Sequence, residues 1–140
     1  MRALRRVLLA VNDSDESARA VPVARELARG AGAELLVLHV RDKKICCKGP
    51  AWESPMTCSP EQLVSGLVTE LRAAGVEATG EVHPSLNHRE ADEILATADN
   101  FGADLIVAGW RRRLSLPWIL EKSTGQKLLD RSRRPFLLVP

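Results

Sequence analysis

Aromatic side chains are scarce in this sequence. It has no tyrosine, two phenylalanines and three tryptophans, 4% of the chain. A core therefore has to be assembled from Leu, Val, Ile and Ala. Cysteine is scarce too, with three residues in all. An odd number, with Cys46 and Cys47 adjacent, makes no disulfide framework and suits a reducing, cytoplasmic setting. Long apolar runs are missing as well. The basic residues before Val7 and the run from Val7 to Val11 briefly imitate a signal peptide. That run meets Asn12, Asp13, Ser14, Asp15 and Glu16 far short of an h-region or a membrane span. No membrane association is expected.

What remains is ordinary globular composition, 45% apolar and 27% charged over 140 residues, enough for one domain spanning residues 1–140. The net charge of +2 is unevenly spread: from Gly109 to Pro140 eight basic residues face Glu121 and Asp130, a net +6 that leaves −4 for the rest. Such asymmetry favours an anionic partner near the C-terminal segment, or it is a solvated helix face and loop.

Short apolar runs alternate with helical stripes. Val7 to Val11 reads as a strand buried on both faces. Asp13 or Ser14 can cap the following helix, with Glu16 in capping-box register after Asp13. Ala18, Val21, Ala24, Leu27 and Ala28 give its stripe, Pro22 should kink or restart it, and Gly30 and Gly32 end it. Glu34 to Val40 is a second strand, followed by a loop over roughly residues 41–58. Ser59, Pro60 and Gln62 start the next helix, with Leu63, Leu67, Leu71 and Ala74 as its buried face and Gly75 as its stop. Val76, Ala78, Gly80 and Val82 alternate with polar residues and read as an edge strand. Ala91, Ile94, Leu95, Ala98 and Phe101 form a third stripe, closed by Gly102. Ala103 to Gly109 is a fourth strand. A basic loop and a last helix through Leu128 and Leu129 lead to a fifth strand from Pro135 to Pro140. Strands alternating with helices specify an α/β fold, a doubly wound five-stranded parallel sheet with helices on both faces. Ligands of such sheets bind beyond the C-terminal strand ends where the winding reverses, which points to Asn12 and Asp13 and to Gly109 onward.

Four segments in order carry a resemblance to a known family. Val7 to Ser14, Ala33 to Val40, Ala103 to Gly109 and Arg134 to Pro140 resemble the first, second, fourth and fifth strands of universal stress proteins. The spacing holds over essentially the whole chain apart from the loop near residues 41–58. The resemblance implies strand order 3-2-1-4-5 in a Rossmann-like sheet of the adenine nucleotide α-hydrolase-like type. It also implies a homodimer paired through the fifth strand, Phe136, Leu137, Leu138 and Val139.

ATP-binding members of that family carry Gly-x2-Gly-x9-Gly followed by Ser or Thr. Glycines let the backbone approach phosphates, and amides at a helix start bind anionic oxygens. Here Gly109 matches the first glycine, Arg112 stands at the second and Lys122 at the third, with Ser123 in place. Asn12 replaces the acidic residue after the first strand, and Asp13 its glycine neighbour. The reading that follows is a non-catalytic regulatory module with no cofactor. The alternative is an ATP-binding module lined by Val11, Asn12, Asp13, Val40, Gly109, Arg112, Lys122, Ser123 and Thr124. A third option is a simpler anion held by Arg111, Arg112, Arg113 and Lys122.

Cys46, Cys47 and Cys58 with His39, His83 and His88 lack the spacing of a paired metal framework, so no metal is expected. His88, Glu90 and Asp92 fit the acidic preference of a helix start. Trp110 and Trp118 around three arginines make too small a stacking platform to predict a nucleic-acid partner. The Walker run and the Ser-Gly-Gly-x-Asp-Ser loop of ATP pyrophosphatases are missing. A response-regulator receiver would need a phosphorylatable Asp after the third strand, where His83 and Pro84 stand.

Overall fold

The computed structural model describes residues 4–12, 15–43, 59–86, 90–109 and 134–140. Their elements run β1 (Arg6–Ala10), α1 (Asp15–Ala31), β2 (Glu34–Lys43), α2 (Pro60–Ala73), β3 (Glu77–Leu86), α3 (Glu90–Phe101), β4 (Leu105–Gly109) and β5 (Phe136–Val139). The strands form a single parallel sheet in the order β3-β2-β1-β4-β5. Fold class and strand order are those expected. The predicted last helix lies outside the described residues. Among the described residues no helix is long and apolar enough to cross a membrane.

Alternation along the central strands divides the core. Val7, Leu9, Leu35, Val37 and Val107 face α1 and α2, whereas Leu8, Leu36, Leu38 and Ile106 face α3. Two-sided burial is why these strands read as unbroken apolar runs.

Several boundaries and faces differ from the sequence expectation. α1 runs through Pro22 as one helix and is not restarted. A proline removes one backbone donor, and the alanines packed against the sheet hold both halves helical. The buried stripe of α1 is Ser17, Ala20, Ala24 and Ala28, while Ala18 is exposed and Val21 and Leu27 are only partly buried. Small side chains take the closest approach to the sheet, and the larger ones flank it. In α2 the buried residues are Val64, Val68 and Leu71, with Leu63 and Leu67 at the margin. The reason lies across the interface. A Cβ at Gly80 of β3 would run into the side chains of Val64 and Val68, so these two valines fill the space that a residue without a side chain leaves.

β2 and β3 extend further than expected, pairing as far as Lys43 with Leu86. His83 and Pro84 therefore lie inside β3, with Pro84 opposite Arg41. A proline is tolerated there because β3 is the sheet edge, where a missing donor breaks no ladder bond on the open side. The start of α2 is as expected: Ser59 Oγ accepts from the Gln62 amide and Gln62 Oε1 accepts from the Ser59 amide, both at 3.2 Å. Gly75 ends the helix at φ 88°, a left-handed conformation that glycine adopts at low cost.

The N-terminal end of the sheet is tied by side chains. Asp104 Oδ2 accepts from the backbone N–H groups of Arg5 and Arg6 at 2.9 and 3.0 Å. Arg134 donates to Asp99 Oδ1 at 2.8 Å and to the Ala103 carbonyl. This end is stitched to α3 and away from the strand C-termini where ligands of such sheets bind.

Candidate functional site

The C-terminal ends of β1 and β4 meet the first turn of α1. Val11 is buried and its N–H donates to the Leu38 carbonyl at 2.8 Å, continuing the ladder beyond β1. Its own carbonyl accepts from His39 Nδ1 at 2.8 Å, since a carbonyl oxygen can only accept. Asn12 is exposed, and its N–H donates to Ser17 Oγ at 2.9 Å. The buried Ser17 hydroxyl thereby holds the chain as it leaves β1 for α1. Val40, next to His39, is buried on the α3 face of β2.

Gly109 closes this junction. A Cβ there would sit 2.5 Å from both the Glu16 carbonyl carbon and the Ser17 amide nitrogen. No side chain fits between the end of β4 and the helix. Gly109 is thus required for packing whether or not a phosphate ever approaches it. Arg19 on α1 donates from Nε to the Pro140 carbonyl at 2.8 Å, joining the helix to the end of β5.

Val11, Asn12 and Gly109 are therefore brought together around the start of α1, with Val40 within the neighbouring strand β2, three residues before its end. Asp13, Arg111, Arg112, Arg113, Lys122, Ser123 and Thr124 lie outside the described residues, as do Trp110, Trp118, His88 and the three cysteines. Phe136 to Val139 form β5, all half-buried, with β4 on one side. Leu137 and Val139 pack toward α1, and Phe136 toward the α3 side.

A polar cluster that sequence reading missed lies on the α3 face of β3. His83 Nδ1 is 2.8 Å from Glu93 Oε1 and its Nε2 is 3.1 Å from Glu81 Oε1. Thr97 Oγ1 lies 3.4 Å from Nδ1 and donates to the Glu93 carbonyl at 2.8 Å. The hydrogen bond to Glu93 raises the His83 pKa above the usual 6.5, partial burial opposes it, and Glu81 adds to the rise. Buried Ser85, next on the same face, has no hydrogen-bond partner for its hydroxyl among the described residues. The signal was present as alternate residues 81, 83 and 85 and the helical pair 93 and 97. It was hidden because β3 was expected to end at Val82. The ring separates the two carboxylates, one at each nitrogen, so the three groups do not converge on one point. Among the described residues no group of three His, Cys, Asp or Glu is arranged to hold a metal ion.

A five-stranded parallel sheet ordered 3-2-1-4-5, with its first and fourth strands opening onto one helix start, defines a doubly wound α/β domain. The model of the universal stress protein family matches residues 3–140, and the chain belongs to that family. A universal stress protein of Thermus aquaticus is 32% identical over 137 residues, covering 95% of this chain and 96% of that protein. A solved universal stress protein from Archaeoglobus fulgidus is 22% identical and superposes with a TM-score of 0.71, over 97% of this chain and 93% of that one. Another, solved in complex with cAMP, is 23% identical with a TM-score of 0.67, over 99% and 98% of the two chains. At such identities the solved structures carry the fold.

Proposed function

We propose that this chain is a non-catalytic regulatory module of the stress response that does not take ATP in the family's usual mode. One observation carries the reading: Arg112 and Lys122 stand where the nucleotide loop of ATP-binding members has glycines, and Asn12 stands where they have an acid. Two long side chains restrict the backbone and fill the space that the phosphates need, although they keep favourable charge. The retained Gly109 does not weigh against this, because its close approach to α1 already requires glycine. In solution the protein is cytoplasmic and dimeric, paired through β5. Titration calorimetry with ATP and magnesium tests the proposal. Heats should stay flat through the micromolar range, about −8 kcal/mol in binding free energy.

A second reading is favoured by the relative solved with cAMP. A nucleotide would then lie across Val11, Asn12 and Val40 with its phosphates toward Gly109, Ser123 and Thr124, and the isotherm would be clear. A simpler anion at Arg111, Arg112, Arg113 and Lys122 would instead show as stabilisation by phosphate at fixed ionic strength, with no ATP-specific heat.

A further inference from the structure

We propose that His83 is a protonation-controlled clamp between the edge strand β3 and helix α3, closed on both sides at lower pH and opened on its Glu81 side as pH rises. A neutral imidazole has one N–H and one lone pair, so it can donate to a single carboxylate. In this structure both ring nitrogens face carboxylate oxygens, Nδ1 that of Glu93 at 2.8 Å and Nε2 that of Glu81 at 3.1 Å. Only the imidazolium donates in both directions.

The neighbouring hydroxyl decides which arm opens. Thr97 spends its single proton on the Glu93 carbonyl at 2.8 Å, so toward Nδ1 it can only accept. No donor among the described residues is left to satisfy a bare Nδ1. Proton loss therefore falls on Nε2, which turns a lone pair toward the Glu81 carboxylate and repels it. The Nδ1–H donation to Glu93 survives. Among the described residues the groups facing the ring are Glu81 from β3 itself and Glu93 with Thr97 from α3, while β2 presents the apolar Val40 opposite in register. Among these described groups there is no cation to compete for either carboxylate.

The sign follows from the raised pKa, whose main cause is the Glu93 hydrogen bond. A group that binds its proton more tightly when folded adds stability that is fully present below its unfolded value near 6.5 and is lost as pH climbs through the higher folded midpoint. Acidification of a neutral solution thus tightens this corner, and alkalinisation frees Glu81 on the strand that borders solvent. The clamp stands independently of whether a nucleotide binds.

Nitrogen-detected NMR of the full chain, titrated from about pH 5 to about pH 9, tests it together with amide hydrogen exchange. His83 should titrate above 6.5 and lose its proton from Nε2, and both Glu81→Gln and Glu93→Gln should lower the midpoint, Glu93→Gln by more. Exchange of β3 amides around Glu81, corrected for intrinsic rates, should speed up through that midpoint in the native chain. It should lose this pH dependence in His83→Gln and in Glu81→Gln, whose amide serves either state of the ring, so that failure of one variant to fold leaves the other as the test. A midpoint at or below 6.5, proton loss from Nδ1, or an unchanged pH dependence in the folded variants would overturn the clamp.

Discussion

At Gly109 one missing carbon decides how closely β4 approaches α1, since a Cβ would press on backbone atoms of Glu16 and Ser17. Backbone atoms cannot swing aside as side-chain tips do. Gly109→Ala should therefore destabilise the fold by about 1–3 kcal/mol, read as a lower denaturant midpoint at unchanged slope. The glycine itself was legible in the sequence, but for its match to a phosphate-binding pattern. Its packing role needs the distance between two segments more than ninety residues apart, about which local pattern is silent. His83 shows the opposite difficulty. Its partner Glu93 lies ten residues on, yet the contact becomes visible only once β3 is known to continue past Val82 and to turn residues 81, 83 and 85 toward α3.

Among the elements, the stripes of α1 and α2 were legible as helical but rotated from the faces their largest residues suggested. Leucines at 63 and 67 outrank valines at 64 and 68 in apolar size, and periodicity alone favours them. The sheet decides otherwise by offering Gly80 as a hollow. Because Val64 and Val68 are stiff at χ1, Gly80→Ala should cost about 1–3 kcal/mol. Substituting Leu63 by Ala at the helix margin should cost less than substituting Leu71, which is fully buried, in the same equilibrium unfolding series. The capping box at Ser59 was read directly from residue order, because cap chemistry is local. Ser59→Ala should lose about 1 kcal/mol, measurable in the same way.

For the whole molecule, the winding was the most legible feature, since buried parallel strands leave continuous apolar runs whose order and spacing survive wide divergence. Assembly is less legible because half-buried side chains on β5 serve a free edge and a dimer equally well. Among the described residues β5 pairs with β4 alone, and an apolar edge invites pairing with a two-fold copy. Light scattering at about tens of micromolar should show a dimer, and Leu138→Pro should weaken it more than it weakens the monomer. A monomer at that concentration would remove β5 as the interface. The central claim concerns the nucleotide, and paired calorimetric titrations with ATP test it most directly. The native chain should give a flat isotherm, whereas the variant with Arg112→Gly, Lys122→Gly, Asn12→Asp and Asp13→Gly, which restores the pattern of ATP-binding relatives, should gain measurable heat. A clear micromolar isotherm from the native chain would contradict the account.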